Sequence, residues 1–146
     1  MRSLALYAAV ALLLLVPTVG RAQSPPTATP LAIVRGYFEA LGRNDFGHAL
    51  SLTAGAAQAR TLRMFQTLKQ QAAEHSASVE LKVRALRIAQ RPSAGTTVPV
   101  DVTFDIDVVG HKWMFSRVAR KIAGSAQFLV EPSAQRGIVA ILGSIN

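Results

Sequence analysis

The spacing of apolar residues along the chain changes once, close to Ser76. Before this residue, apolar side chains recur every three or four positions, which is the period of one helix face. After it, they recur at every second position, which is the period of one strand face. The pattern therefore predicts an α+β protein in which helices come first and an antiparallel sheet follows.

Three helices are predicted in the first half of the chain. Thr29 can cap the first helix, and Pro30 suits its first turn because the N–H that proline lacks would have no partner there. Asn44 or Asp45 caps a short second helix, and the third covers about residues 56–75. The apolar stripes of the three helices contain Val34, Phe38 and Leu41, then Phe46, Ala49 and Leu50, then Leu62, Phe65 and Leu68.

Four or five strands are predicted after the helices, in the stretches 79–85, 98–108, 111–122, 127–131 and 137–142. Turns are expected around Gly110 and at residues 123–125 because glycine interrupts the alternation there. The strands would form a curved antiparallel sheet, and the first and third helices would cover its concave face. The opening left between the helices and the sheet would be a pocket or cone.

Aromatic and aliphatic side chains converge on the predicted concave face. A hairpin turn around Gly110 would bring Trp113 and Phe115 to the side that Phe104 and Ile106 occupy. With Tyr37 from the first helix, these residues are the candidates for binding a small apolar ligand. The same residues could equally fill the core, and the sequence leaves both interpretations open.

The first 22 residues have the organisation of a secretory signal peptide. Arg2 supplies a positive start, an uninterrupted apolar run extends from Leu4 to Val16, and Ala22 precedes the expected cleavage site. The run is shorter than the roughly 20 residues that a membrane-spanning helix needs. Cleavage near Ala22 predicts a periplasmic or secreted protein.

Beyond the signal peptide, the chain of 146 residues is long enough for one domain. Residues 23–30 are rich in proline and threonine and are expected to be a flexible linker, and residues 31–146 form a single α+β domain. The chain contains no cysteine, so disulfides and thiolate metal sites are excluded.

Basic residues outnumber acidic ones, 16 against 8, and give a formal net charge of +8. This excess favours an anionic partner, such as a lipid headgroup or another component of the cell envelope. The basic residues are scattered and form no long run, so nucleic-acid binding is not expected.

Parts of the chain resemble the nuclear transport factor 2-like (cystatin-like α+β) superfamily. The resemblance rests on Ile33 to Leu41, on Asp45-Phe46 and Ala49-Leu50, and on the long hairpin around Gly110 with Trp113 on its second strand. It implies a cone-shaped fold of helices on a curved sheet. The superfamily includes ketosteroid isomerases, polyketide cyclases, dehydratases and non-enzymatic ligand-binding domains, so the resemblance implies no single function.

Tyr37 is the first candidate for chemistry. In isomerase-like members of this superfamily, a tyrosine on the first helix donates a hydrogen bond to an oxyanion, often beside a carboxylic acid. Asp101 or Asp105 could supply that acid. The competing interpretation places the Tyr37 hydroxyl at the surface and pairs Asp101, Asp105 and Asp107 with basic neighbours such as Arg84.

The three histidines, His48, His75 and His111, lie in separate predicted elements and lack the spacing of metal ligands. We therefore expect no metal and no cofactor. Three functions remain, of which the sequence favours the first. They are an exported non-enzymatic binding or accessory domain, a small isomerase, cyclase or dehydratase, and a structural envelope protein that forms a homodimer.

Overall fold

The structure, a computed structural model, describes residues 28–132 and 136–143. The predicted signal peptide and most of the predicted linker lie outside these residues. Within them, three helices precede four strands, and the strands form one curved antiparallel sheet in the order in which they occur along the chain. The predicted α+β class is confirmed, with four strands in the sheet.

The helices are α1 (Pro30–Gly42), α2 (Phe46–Ser51) and α3 (Gly55–Glu74). The side chain of Thr29 accepts a hydrogen bond from the backbone N–H of Ala32 at 3.2 Å, which confirms the predicted cap of α1. The side chain of Asp45 caps α2 by accepting from the N–H of His48 at 3.0 Å. The predicted helical boundaries are correct to within a residue or two because these caps can be recognised in the local sequence.

The strands are β1 (Ser78–Gln90), β2 (Val98–Lys112), β3 (Phe115–Glu131) and β4 (Gly137–Leu142). Two predicted turns are wrong. Gly110 lies within β2, opposite Val79 and Arg117, and the β2–β3 turn falls instead at Trp113 and Met114, where Trp113 has a φ of 59°.

The second predicted turn, at residues 123–125, is also absent because β3 runs through it without a break. Gly124 pairs with Phe104, and Ser125 pairs with Thr103. A glycine in a strand is compatible with ladder pairing, although it packs no side chain there. The two predicted strands on either side of Gly124 are therefore one strand of 17 residues.

The core lies between α1 and the concave face of the sheet. Val34, Phe38 and Leu41 of α1 are buried, as are Val102 and Phe104 on β2. Burial of side chains of this size stabilises a fold by about 1.5–3 kcal/mol each. The alternation predicted for β2 is confirmed from Val100 to Val108, since the even-numbered apolar residues of this stretch are buried in the core.

The loop between α2 and α3 is hydrogen-bonded to β4. The N–H of Ile138 donates to the carbonyl of Leu52 at 2.8 Å, and the N–H of Ala54 donates to the carbonyl of Ile138 at 2.8 Å. Gly137 precedes this contact with a φ of +66°, and a Cβ atom there would overlap the carbonyl group of Leu52. This junction sets where α3 begins relative to the sheet.

Candidate functional site

A cleft lies between α3 and the concave face of the sheet. Its inner part has a volume of about 60 Å³ and is lined by side chains from α1, α3 and all four strands. Met64 and Leu68 of α3 form one wall, and Phe104 and Ile122 belong to the opposite wall. Apart from the Tyr37 hydroxyl and the Met64 thioether, the lining side chains are hydrocarbon.

Two wider openings lie beside the inner part. One has a volume of about 250 Å³ and is bordered by polar side chains of α3, including Arg60, Thr67 and Gln71. The other has a volume of about 440 Å³ and lies where the C-terminal part of α3 faces β2 and β3. Leu68 and Ile122 line the inner part and both openings, so the three volumes lie next to one another around these two side chains.

Tyr37 is buried in the wall of this cleft, with 4 % of its surface exposed. Its ring makes edge contacts with Phe38 and Phe128, and its hydroxyl forms a 3.0 Å hydrogen bond with the hydroxyl of Thr61. Burial raises the pKa of Tyr37, although the hydrogen bond to Thr61 and the charge of Arg60 partly oppose this. The hydroxyl is therefore neutral near pH 7, and it lies inside the protein rather than at the surface.

The structure does not bring Tyr37 together with Asp101 or Asp105. Both aspartates alternate along β2 with Val102 and Phe104, whose side chains are buried beneath the helices. Successive side chains of a strand point to opposite faces, so the aspartates lie on the convex face of the sheet. Tyr37 lies on the concave side, and the thickness of the sheet separates the two kinds of group.

Two carboxylates of the convex face are engaged by polar neighbours. Asp101 accepts hydrogen bonds from Arg91 and from Gln127, and these bonds lower the pKa of its carboxyl. Asp107 is largely buried and pairs with Arg84 at 2.7 Å. For Asp101 and Asp107 this arrangement matches the pairing with basic neighbours that the sequence offered as the alternative to catalysis, whereas Asp105 makes no ion pair with the residues that the structure describes.

Two of the predicted ligand-binding residues lie far from the cleft. Phe104 and Ile106 line it as expected, but Trp113 and Phe115 are 94 % and 79 % exposed at the tip of the β2–β3 hairpin. Neither of these two residues lines the cleft. The turn falls at Trp113 and Met114 instead of at Gly110, which carries both aromatic residues to the end of the hairpin.

Sequence reasoning did not identify Arg120 as a residue of the site. Val108 pairs with Arg120 and Val109 pairs with Val118, so Ala119 is an extra residue in β3. This bulge places Arg120 on the concave face, where it borders both openings of the cleft. A bulge of this kind leaves no mark in the hydrophobic pattern of such a polar strand.

The histidines play no part in the cleft's inner wall. His111 lies between two partners, with Nδ1 2.7 Å from the Ser116 hydroxyl and Nε2 2.8 Å from the Glu80 carboxylate. Its hydrogen bond is the main reason that the pKa of Glu80 is lowered. In residues 28–132 and 136–143, no three His, Asp or Glu side chains are grouped so as to hold a metal ion.

None of the helices in the described ranges is long and apolar enough to cross a membrane. No family model, curated protein or solved structure matches this chain. The function is therefore inferred from the geometry of the cleft and the charges around it.

Proposed function

We propose that this chain is an exported, non-enzymatic binding module of the nuclear transport factor 2-like type. It holds an amphipathic molecule with its apolar part in the cleft beneath α3. The observation that carries the proposal is the cleft between α3 and the concave face of the sheet, whose inner walls are almost entirely hydrocarbon and which has two wider openings beside it.

The shape of the cleft supports an elongated apolar group. The inner part, at about 60 Å³, is much smaller than the roughly 300–1,000 Å³ of typical small-molecule pockets. A ligand must therefore extend into one of the openings beside it. A narrow inner part with wider ends suits an alkyl chain better than a rigid ring system. Met64 and Leu68 have flexible side chains that can adjust to such a chain.

The charge at the rim of the smaller opening supports an anionic head group, because no acidic residue of the described ranges lines this opening, whereas Glu74 lines the other. Arg60 also borders one opening, but its guanidinium donates to the carbonyls of Ile141 and Gly143, at 2.7 and 3.0 Å. Arg120 borders both openings and makes no ion pair with the residues that the structure describes. A carboxylate or phosphate at the mouth of the cleft would be within its reach, while the alkyl chain lies inside.

The same geometry argues against the isomerase-like alternative. Catalysis of that kind needs a tyrosine and a carboxyl group that touch one substrate. Tyr37 and the aspartates of β2 lie on opposite sides of the sheet, and the Tyr37 hydroxyl already bonds to Thr61. Of the side chains lining the inner part of the cleft, none is an acid or a histidine that could act as a general base.

Calorimetric titration with decanoate and with 1-decanol tests this function. Leu68→Trp fills the cleft and is expected to weaken binding of both compounds at least tenfold. Leu62→Trp is the matched control because Leu62 lies on the exposed side of α3, and it is expected to bind as the wild type does. Circular dichroism establishes that each variant is folded.

Arg120→Ala separates the contribution of the ligand's head group to binding from that of its alkyl chain. Loss of a charge-assisted hydrogen bond is expected to weaken decanoate binding about tenfold and to leave decanol binding unchanged. Equal affinities for the wild type and Leu68→Trp would contradict the proposed cleft, and an unchanged decanoate affinity in Arg120→Ala would contradict the role of its charge.

A further inference from the structure

The three most exposed large apolar side chains of the described residues are consecutive. Trp113, Met114 and Phe115 are 94 %, 95 % and 79 % exposed; the first two form the turn between β2 and β3, and Phe115 begins β3. Aromatic side chains of this size usually bury most of their surface. An apolar group of three at the end of a hairpin indicates that another phase or molecule covers it.

The segment around this turn is strongly basic. We define the hairpin tip as Lys112–Lys121, which contains no acidic residue and four basic ones: Lys112, Arg117, Arg120 and Lys121. None of these four forms an ion pair with the residues that the structure describes. The nearest acids on the neighbouring strands are already paired, Glu80 with Lys82 and His111, and Asp107 with Arg84.

The hairpin tip also stands at an open edge of the sheet. β4 pairs with β3 only from Gln127 onward, so within the described ranges the part of β3 from Phe115 to Gly124 pairs with β2 alone. The basic side chains along this edge discourage pairing with another strand, as charged residues do on many edge strands. The tip can therefore approach a surface without obstruction by β4.

We propose that the hairpin tip docks the protein onto an anionic lipid surface. Trp113, Met114 and Phe115 enter the interfacial region, where tryptophan is enriched in membrane proteins. Lys112 and Arg117, the two cations nearest the turn, contact the headgroups, whereas Arg120 borders the cleft. Each Lys or Arg close to an anionic bilayer raises the affinity about fivefold.

The shape of the tip favours a lipid surface over a protein partner. A stable protein interface buries at least about 1,000 Å² in a complementary patch, whereas the tip presents three side chains on a convex turn. A convex apolar end surrounded by cations is complementary to a bilayer because lipids deform around it and supply the opposite charge.

Trp113 allows a direct test because it is the one tryptophan of the chain. The full chain is titrated with vesicles of phosphatidylcholine containing about one third phosphatidylglycerol, and with vesicles of phosphatidylcholine alone. We expect a blue shift of the Trp113 emission with the anionic vesicles, quenching by lipids brominated near the headgroup, and reversal at high salt. Unchanged emission with both kinds of vesicle would overturn the proposal.

Vesicle flotation extends the test to variants. A triple variant with serine at 113, 114 and 115 is expected to lose at least tenfold in affinity, whereas the control Leu62→Ser floats as the wild type does. The triple variant and Leu62→Ser carry the same N-terminal residues, so any contribution of these residues to vesicle binding is the same in both. Equal flotation of the triple variant would refute the lipid contact. A blue shift that grows with protein concentration without vesicles would refute it too, because it would show that a second copy covers the tip.

This inference is independent of the ligand in the cleft. Leu68→Trp closes the cleft but leaves the hairpin tip unchanged, and it is therefore expected to float as the wild type does. Failure of decanoate binding together with normal flotation would reject only the proposed function. Normal decanoate binding without flotation would reject only the lipid contact.

Discussion

Replacing Tyr37 by phenylalanine removes one hydroxyl from the wall of the cleft and takes away the hydrogen-bond partner of Thr61. Both residues are almost fully buried. A buried hydroxyl without a partner destabilises a fold by about 1–3 kcal/mol, more than the bond itself contributes. We expect Tyr37→Phe to lower the free energy of unfolding by about 1–2 kcal/mol, and Thr61→Val to have a similar effect.

The double variant Tyr37→Phe/Thr61→Val gives the sharper result. It removes both hydroxyls, so neither is left unpaired, and its stability is expected to lie within about 0.5 kcal/mol of the wild type. Denaturant unfolding gives the midpoint for each variant, and the dependence of the free energy of unfolding on denaturant concentration is expected to be the same for all of them. A double variant whose loss equals the sum of the two single losses would show that the hydroxyls are not coupled. That result would refute the assignment of Tyr37 as a structural hydrogen-bond partner.

Two further predictions concern stability. Gly137→Ala combines a positive φ with overlap on a backbone carbonyl, and it is expected to destabilise by more than about 2 kcal/mol. Gly55→Ala has a φ of +56° and only an ordinary contact with the Val139 carbonyl at 3.8 Å, and it is expected to cost about 1 kcal/mol in the same denaturant assay. Equal losses would contradict the close contact at Gly137. Because burial raises the pKa of Tyr37 above its ordinary value of 10.0, the unfolded chain releases this proton first, so stability falls as the pH rises above that value. Between about pH 9 and 12, the free energy of unfolding of Tyr37→Phe is expected to fall less steeply than that of the wild type. Identical slopes for the two proteins would show that the Tyr37 hydroxyl is accessible to water.

The helices and the core could be predicted from the sequence because their signals are local. Thr29 and Asp45 cap the helices they precede, and the alternation in β2 identifies Phe104 and Ile106 as inward-facing. The same alternation places Asp101 on the opposite face, which is why it cannot act together with a residue of α1. These features depend on residues within a few positions of one another.

The hairpin could not be predicted in the same way. Gly110 suggested a turn by its residue type, but the chain turns at Trp113, a residue that seldom adopts a positive φ. A hairpin turn at Gly110 would place Trp113 and Phe115 on the side of Phe104 and Ile106. Burial also requires another element to cover a side chain, and here both residues lie at the end of the hairpin and are exposed. The bulge at Ala119 depends on the register with β2, which the sequence of β3 alone does not contain.

The central claim is that the cleft beneath α3 holds the alkyl part of an amphipathic ligand. Isotope-filtered nuclear Overhauser spectroscopy on methyl-labelled protein with decanoate tests it most directly. The account predicts contacts from the decanoate methylene protons to the methyl groups of Met64, Leu68 and Ile122, which line the cleft. Contacts to the methyl group of Met114 alone, or no contacts at millimolar decanoate, would contradict it.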